Sequence, residues 1–125
     1  MTSQPVDILL AEDDDDLREA MLETLEDAGY SVFAVSNGQD ALHWLHEVEP
    51  LPALILLDLM MPVMDGWQFL ELQRVDPKAS TVPVVVLSAM GSRPTIDAVE
   101  HLKKPTKVAL LLELVARFCG PRTPR

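Results

Sequence analysis

The sequence has a single cysteine, Cys119, among its 125 residues, so it cannot form an internal disulfide and suits a reducing compartment. It also lacks any apolar run approaching the roughly 18 residues that a membrane-spanning helix needs. The first residues, MTSQPVD, have neither the basic start nor the apolar stretch of a signal peptide. These absences predict a cytoplasmic protein that does not act at a membrane.

Basic residues are also scarce, since 10 Lys and Arg stand against 20 Asp and Glu and give a net charge of -10. Such a surface repels nucleic acid, because proteins bind phosphate backbones through Lys and Arg. Hydrophobic residues make up 48% and charged residues 24%, which is ordinary for a globular domain and argues against disorder. The length suits one domain, which we place at residues 6–119 with short tails at 1–5 and 120–125.

Short apolar segments alternate with helical patterns along the whole chain. We predict strands at residues 6–11, 31–35, 54–57, 82–87 and 99–103, with apolar residues at helical spacing after the first, second, third and fifth of them. This alternation predicts an α/β protein with a doubly wound parallel sheet and helices on both faces. In open sheets of this kind, ligands bind outside the carboxyl ends of the strands.

Polar residues stand where these predicted strands end. Glu12 and Asp13 follow the first strand, Asp58 follows the third, Ser88 the fourth and Lys104 the fifth. Each has a plain structural explanation alone; the acidic run at 12–16, for example, suits a helix N-terminus. Together, converging carboxylates repel one another unless a cation lies between them, and oxygen ligands suit Mg2+. A lysine and a hydroxyl beside that cation could hold a phosphoryl group, with Asp58 as its nucleophile.

Four segments carry a resemblance to a known family. ILLAEDD (8–14), LILLDLMMPVMDGWQFL (54–70), VPVVVLSA (82–89) and KKP (103–105) occur in the order and roughly the spacing of response regulator receiver domains of two-component signalling. The chain resembles in particular a stand-alone, chemotaxis-regulator-like receiver. The resemblance covers nearly all of the chain and implies a flavodoxin-like sheet of five parallel strands in the order 2-1-3-4-5.

The resemblance also implies a metal site. Mg2+ would be held by Asp13, Asp58 and the backbone carbonyl of Met60, with Glu12 acting mainly through water. Asp58 would be the phosphoacceptor.

The implied function is that of a switch in a phosphorelay. A histidine kinase or phosphotransfer protein would supply the phosphoryl group to Asp58, and Ser88 and Lys104 would contact it afterwards. The receiver would catalyse only its own phosphorylation and dephosphorylation, so it would not be an enzyme in the usual sense. Receivers commonly carry Tyr or Phe three residues before the lysine as part of the switch; this chain has His101 there.

Four other interpretations use the same residues. An FMN-binding flavodoxin-like protein needs a first loop that accepts phosphate, which residues 12–16 would repel. A phosphatase of the haloacid dehalogenase type carries a second acid two residues after its aspartate, where this chain has Met60. An EF-hand-like calcium loop would need a Gly and a terminal Glu that are missing. A degenerate receiver that binds partners without phosphorylation is the main alternative.

The chain departs from the family between its fourth and fifth strands. Residues 89–103 must supply a helix, two loops and a strand in 15 residues. Gly91 and Pro94 narrow the room further, because Gly favours a turn and Pro tolerates only the first helical turn. We therefore predict that the helix between these strands is one or two turns around residues 94–98, or an irregular loop.

Overall fold

The computed structural model describes residues 5–88 and 100–124 of the chain. Its five strands are β1 (Ile8–Ala11), β2 (Val32–Val35), β3 (Leu54–Asp58), β4 (Val84–Ser88) and β5 (Glu100–Lys103). All five predicted strands are present, with boundaries within two residues of those predicted. β4 begins after Pro83, which lacks the N–H that a ladder position would need.

In the described residues, four α-helices connect or follow these strands: α1 (Asp15–Asp27), α2 (Gly38–Glu47), α3 (Gly66–Val75) and α4 (Val108–Cys119). Side chains of Asp14, Asn37 and Asp65 accept hydrogen bonds from the first turns of α1, α2 and α3, so each start is capped by a residue that favours that position. The short helix predicted around residues 94–98 lies outside the described residues. Within the described part of the chain, every helix is too short or too polar to cross a lipid bilayer.

The strands form one parallel sheet in the order β2-β1-β3-β4-β5, which confirms the predicted topology. β1 lies between β2 and β3, and its residues 8–11 are in register with both neighbours. Asp58 is opposite Leu87 at the end of the β3–β4 ladder, and Ser88 is opposite Lys103 at the end of the next. The carboxyl ends of β3, β4 and β5 therefore meet at one edge of the sheet.

The two faces of the sheet support two separate cores. Alternate side chains along a strand point to opposite faces, so Leu54 and Leu56 pack with α1 and α4 while Ile55 and Leu57 pack with α2 and α3. Asp58 is the next residue of β3 on the α1–α4 face. Asp58, the candidate phosphoacceptor, therefore continues the row of buried leucines on that face.

The C-terminal residues lie against the opposite end of the sheet. The Tyr30 hydroxyl donates to the carbonyl of Gly120, and the Arg122 guanidinium lies 2.9 Å from an Asp7 carboxylate oxygen. Arg122 also lies over the Tyr30 ring, 5.4 Å from its centroid. These contacts hold the segment after α4 against the starts of the strands, at the opposite end of the sheet from Asp58 and Ser88.

Candidate functional site

Three charged side chains, those of Glu12, Asp58 and Lys104, are in contact at the carboxyl edge of the sheet. The Lys104 ammonium lies 2.8 Å from Glu12 Oε1 and 3.1 Å from Asp58 Oδ1. Glu12 is 1% exposed and Asp58 is 4% exposed, so both carboxylates are removed from water. Lys104 supplies a positive charge that partly compensates for their burial.

Hydrogen bonds from Asp14 and Arg18 fix the position of Glu12. Its second carboxylate oxygen accepts a hydrogen bond of 3.2 Å from the backbone N–H of Asp14, the residue that caps α1. The Arg18 guanidinium donates to the Glu12 carbonyl at 2.9 Å. The start of α1 thus holds the Glu12 side chain against Lys104. The preference for Asp before a helix could have revealed Asp14 as a cap from the sequence; Arg18 had no sequence signal.

A third carboxylate completes an acidic cluster. Carboxylate oxygens of Glu12, Asp13 and Asp58 lie within 4.8 Å of one another, and Asp13 is exposed. Among the residues that the structure describes, these three are the group of acidic, histidine or cysteine side chains with metal-binding spacing. The structure therefore brings together three of the predicted metal ligands, with one open to solvent.

The electrostatics of the cluster depend on how strongly each group is buried. Burial raises the pKa of Asp58 to about 6; the hydrogen bond from Lys104 opposes that rise and the neighbouring Glu12 charge adds to it. Burial also lowers the pKa of Lys104, but its contacts with Glu12 and Asp58 outweigh this and raise it overall. Lys104 lies closer to Glu12 than to Asp58, which agrees with Asp58 remaining the less compensated carboxylate.

Gly66 lets the chain after β3 pass close to Asp58. A Cβ at Gly66 would lie 2.7 Å from the backbone oxygen of Asp58 and 2.7 Å from Leu59 Cα, closer than real Cβ atoms approach. The Gly66 N–H donates to the Leu59 carbonyl at 2.8 Å and ties α3 to the end of β3. Gly66 lies within the segment at residues 54–70 that carries the family resemblance, but its role in this close approach had no sequence signal.

The loop between β3 and α3 contains a strained residue. Val63 has φ of 68°, in the left-handed region that β-branched residues rarely adopt, and it is 74% exposed. Hydrogen bonds at Met64 hold the turn: its N–H donates to Pro62, and its carbonyl accepts from Gly38 at 2.8 Å. The surrounding contacts impose the conformation that Val63 itself disfavours.

We expect Val63→Gly to raise the free energy of unfolding by about 1 kcal/mol. Relief of left-handed strain is worth about 1–2 kcal/mol, and the greater unfolded-state entropy of Gly removes part of it. Urea denaturation measures the change, with Val63→Ala as the matched control, because alanine keeps the strain and should gain much less. A Gly variant less stable than the parent would contradict the assignment of strain.

The remaining predicted site residues lie around this edge in different ways. Met60 follows Asp58 by two residues and its side chain is 66% exposed. Ser88 ends β4 beside the other strand ends, which fits its predicted place; only its backbone is described. His101 lies on β5 opposite Val86. Its Nδ1 atom is buried without a hydrogen-bond partner within residues 5–88 and 100–124, and its switch role stays a prediction.

Comparison with known proteins gives one consistent result. The family model for the response regulator receiver domain matches residues 8–116. The chain is 39% identical to the response regulator receiver protein CpdR of Brucella abortus over 112 residues, covering 86% of this chain and 89% of CpdR. It is also 39% identical to the response regulator Rre1 of Synechocystis over 90 residues, 71% of this chain.

Coverage differs between these relatives, because the match spans only 38% of the length of Rre1.

Among solved structures, the phosphorylated cyanobacterial phytochrome response regulator RcpA is similar, with a TM-score of 0.76 and 26% identity. That match covers 93% of this chain and 94% of RcpA. Most of the chain thus has a counterpart in a response regulator whose structure was solved in its phosphorylated form.

Proposed function

Because this chain belongs to the response regulator receiver family, we propose that Asp58 accepts a phosphoryl group from a histidine kinase or phosphotransfer protein and that phosphorylation switches the binding of a partner protein. The observation that carries the proposal is the contact of Lys104 with both Glu12 and Asp58 at the carboxyl edge of the sheet. A buried carboxylate can attack phosphorus, and a fixed ammonium beside it can neutralise the charge on the product oxygens.

The transfer forms one bond and breaks another. An Asp58 carboxylate oxygen attacks phosphorus as the P–N bond to the donor imidazole breaks, and the electron pair of that bond returns to the ring nitrogen. Lys104 already lies 3.1 Å from Asp58 Oδ1, so its ammonium can follow the added negative charge onto the phosphoryl oxygens. Ser88, at the end of β4, would offer its hydroxyl to a second phosphoryl oxygen. Hydrolysis of the acyl phosphate returns the carboxylate.

Only the ionised carboxylate of Asp58 can act as the nucleophile in this reaction. Since burial raises its pKa to about 6, the metal-free site is mostly ionised at pH 7 and mostly protonated at pH 5. A protonated carboxyl is a poor nucleophile. Mg2+ binds the carboxylate form, so binding of Mg2+ to the metal-free site should weaken as the pH falls through about 6.

The acidic cluster fits Mg2+. Three carboxylate oxygens lie within 4.8 Å of one another, and among the described residues the ammonium of Lys104 contacts two of the three carboxylates. The described groups thus form a site with surplus negative charge and hard oxygen ligands. Asp13, Asp58 and the Met60 carbonyl would hold the ion directly, and Glu12 through water. When bound, Mg2+ would supply charge neutralisation on the transferring phosphoryl group. Glu12 keeps Lys104 at the site beside the ion.

Mg2+ should therefore stabilise the folded protein, and Asp13→Ala should remove most of that stabilisation. An ion that binds only the folded state contributes about 1.4 kcal/mol at ten times its dissociation constant. Thermal unfolding with and without Mg2+ measures the effect. Asp16→Ala is the control, because Asp16 is also exposed but lies outside the cluster, and it should keep the full response. An unchanged Mg2+ response in Asp13→Ala would move the metal elsewhere.

The other parts of the proposal concern setting and reaction type. We propose that the domain works in the cytoplasm, that it binds neither nucleic acid nor membrane directly, and that its chemistry is confined to transfer to Asp58 and hydrolysis there. A degenerate receiver that binds partners without phosphorylation is not favoured, because all the acidic and basic groups needed for transfer lie together.

Mass spectrometry provides the direct test. Incubation with a small acyl phosphate and Mg2+ should add the mass of one phosphoryl group, labile at alkaline pH as an acyl phosphate is, and peptide mapping should locate it at Asp58. No mass gain, or a modification on another residue, would refute the proposed function.

A further inference from the structure

The two edge strands of the sheet, β2 and β5, differ in charge. β5 includes Glu100 and Lys103, and a Glu100 carboxylate oxygen lies 3.3 Å from the Arg117 guanidinium of α4. Charged side chains on an edge strand oppose pairing with another chain. Residues 28–39, which contain β2, include no charged side chain. The β2 edge therefore lacks the charges that oppose strand pairing at β5.

Two residues of β2 direct their backbone groups away from the sheet. The carbonyls of Ser31 and Val35 accept hydrogen bonds of 3.1 Å and 3.0 Å from N–H groups at the two ends of β1. Alternate residues of a strand bond to the same neighbour, so the N–H and C=O groups of Val32 and Ala34 point to the open edge. A second strand laid beside β2 would therefore meet two N–H donors and two carbonyl acceptors.

Both faces of this edge present apolar side chains. Phe33 is 38% exposed and is stacked on Trp44 of α2, with ring centroids 4.7 Å apart and an angle of 12° between the ring planes. On the opposite face, Val32 and Ala34 pack against the core beside α1 and are only partly buried. A strand added at this edge would cover apolar surface on both faces as well as backbone groups.

We propose that β2 pairs in antiparallel orientation with β2 of a second copy of this chain, about a twofold axis at Phe33. Val32 of each copy would exchange two backbone hydrogen bonds with Ala34 of the other. The two Phe33 residues would form the non-hydrogen-bonded pair between them, with Cα atoms about 4.5 Å apart and side chains in contact. This pair would extend the Phe33–Trp44 stack across the axis and join the two sheets into one.

A second copy suits this edge because β2 is complementary to itself. The arrangement is isologous, and it places the larger Val32 opposite the smaller Ala34 in both hydrogen-bonded pairs. A strongly basic or acidic strand would find no opposite charge in residues 28–39. The net charge of -10 on each copy opposes association, so the dimer should strengthen as salt screens that repulsion. The proposal does not depend on phosphorylation of Asp58.

Sedimentation equilibrium of the whole, unphosphorylated chain provides the first test. A monomer–dimer equilibrium should appear as the protein concentration rises, and the dimer fraction should increase with NaCl. Amide hydrogen exchange at Val32 and Ala34 should slow over the same concentration range, because these N–H groups become bonded only in the dimer. A chain that stays monomeric at every concentration, or a dimer that leaves both amides unprotected, would overturn the proposal.

Variants identify the surface that forms the dimer. Phe33→Lys would place two ammonium groups face to face on the axis, and Ala34→Pro would remove one N–H donor per copy at a position where an edge strand tolerates proline. Each should weaken dimerisation about tenfold or more, equivalent to about 1.4 kcal/mol. Val75→Lys is the matched control, because it makes the same charge change at a residue of α3 that is 75% exposed, and it should retain the parental dimer. Parental dimerisation in both β2 variants would refute the site.

Discussion

The Asp58→Asn variant should lose phosphorylation completely and yet unfold at a higher temperature than the parent protein in metal-free buffer at pH 7. The amide nearly matches the carboxylate in shape but is a poor nucleophile, so the reaction stops while the packing remains. The gain in stability follows from burial, because Asp58 is 4% exposed and its charge is only partly compensated by Lys104.

The direction of the pH dependence follows from the pKa of Asp58, which burial raises from 3.8 in its unperturbed state to about 6. The unfolded state therefore loses this proton at lower pH than the folded state does. The contribution of Asp58 to the stability of the metal-free parent should therefore be greatest below about pH 4. It should be lost as the pH rises through about 6. A pKa change of this size corresponds to a loss on the order of 3 kcal/mol, and Asn should remove it.

Thermal unfolding in a chelator between pH 4 and pH 8 measures this effect alongside the phosphorylation assay. Asp16→Asn is the control, since it removes an exposed carboxylate from the same region and should change neither result. Phosphorylation of the Asn variant at the parental level would remove Asp58 from its role. An Asn variant that is less stable at pH 7 would mean that the Lys104 contact outweighs burial.

The second large effect is expected for Lys104→Met, which should destabilise the metal-free protein by about 3 kcal/mol at neutral pH. Lys104 is the cation in contact with both Glu12 and Asp58, which are 1% and 4% exposed. Methionine keeps much of the side-chain volume but leaves the two buried carboxylates without a cation among the described residues. Breaking a buried pair in this way typically costs about 3–5 kcal/mol.

Two conditions should restore much of the stability of Lys104→Met. Acidic pH should do so by protonating Asp58, whose pKa burial already raises, and Mg2+ by replacing the missing charge. Denaturant titrations at pH 5 and pH 7.5, with and without Mg2+, test both. Lys107→Met is the matched control because Lys107 is exposed nearby, and it should have little effect at either pH. A Lys104→Met variant as stable as the parent at pH 7.5 would show that the contact does not compensate the buried charges.

The local pattern of the sequence was sufficient to predict the architecture. Apolar segments alternating with helical patterns predicted the five parallel strands, because both periodicities depend on residues near one another in the chain. The same reasoning placed Glu12, Asp58 and Lys104 at one edge, since the carboxyl ends of parallel strands lie together. The predicted short helix around residues 94–98 remains a prediction outside the described residues.

The contacts between these groups were decided by the tertiary structure. Glu12 and Lys104 are 92 residues apart in sequence, and their 2.8 Å contact depends on how β1 and β5 are placed across the sheet. The resemblance implies that Glu12 acts on the metal mainly through water, and this stays a prediction. The fold adds a buried contact between Glu12 and Lys104, and burial raises the pKa of Asp58 to about 6. The apolar cavity between Met21 of α1 and Val108 of α4 has the same origin, because its walls meet only after both helices pack on one face. Residue types and their order thus determined which groups reach the site, whereas burial and distance depend on contacts between distant segments that no local pattern records.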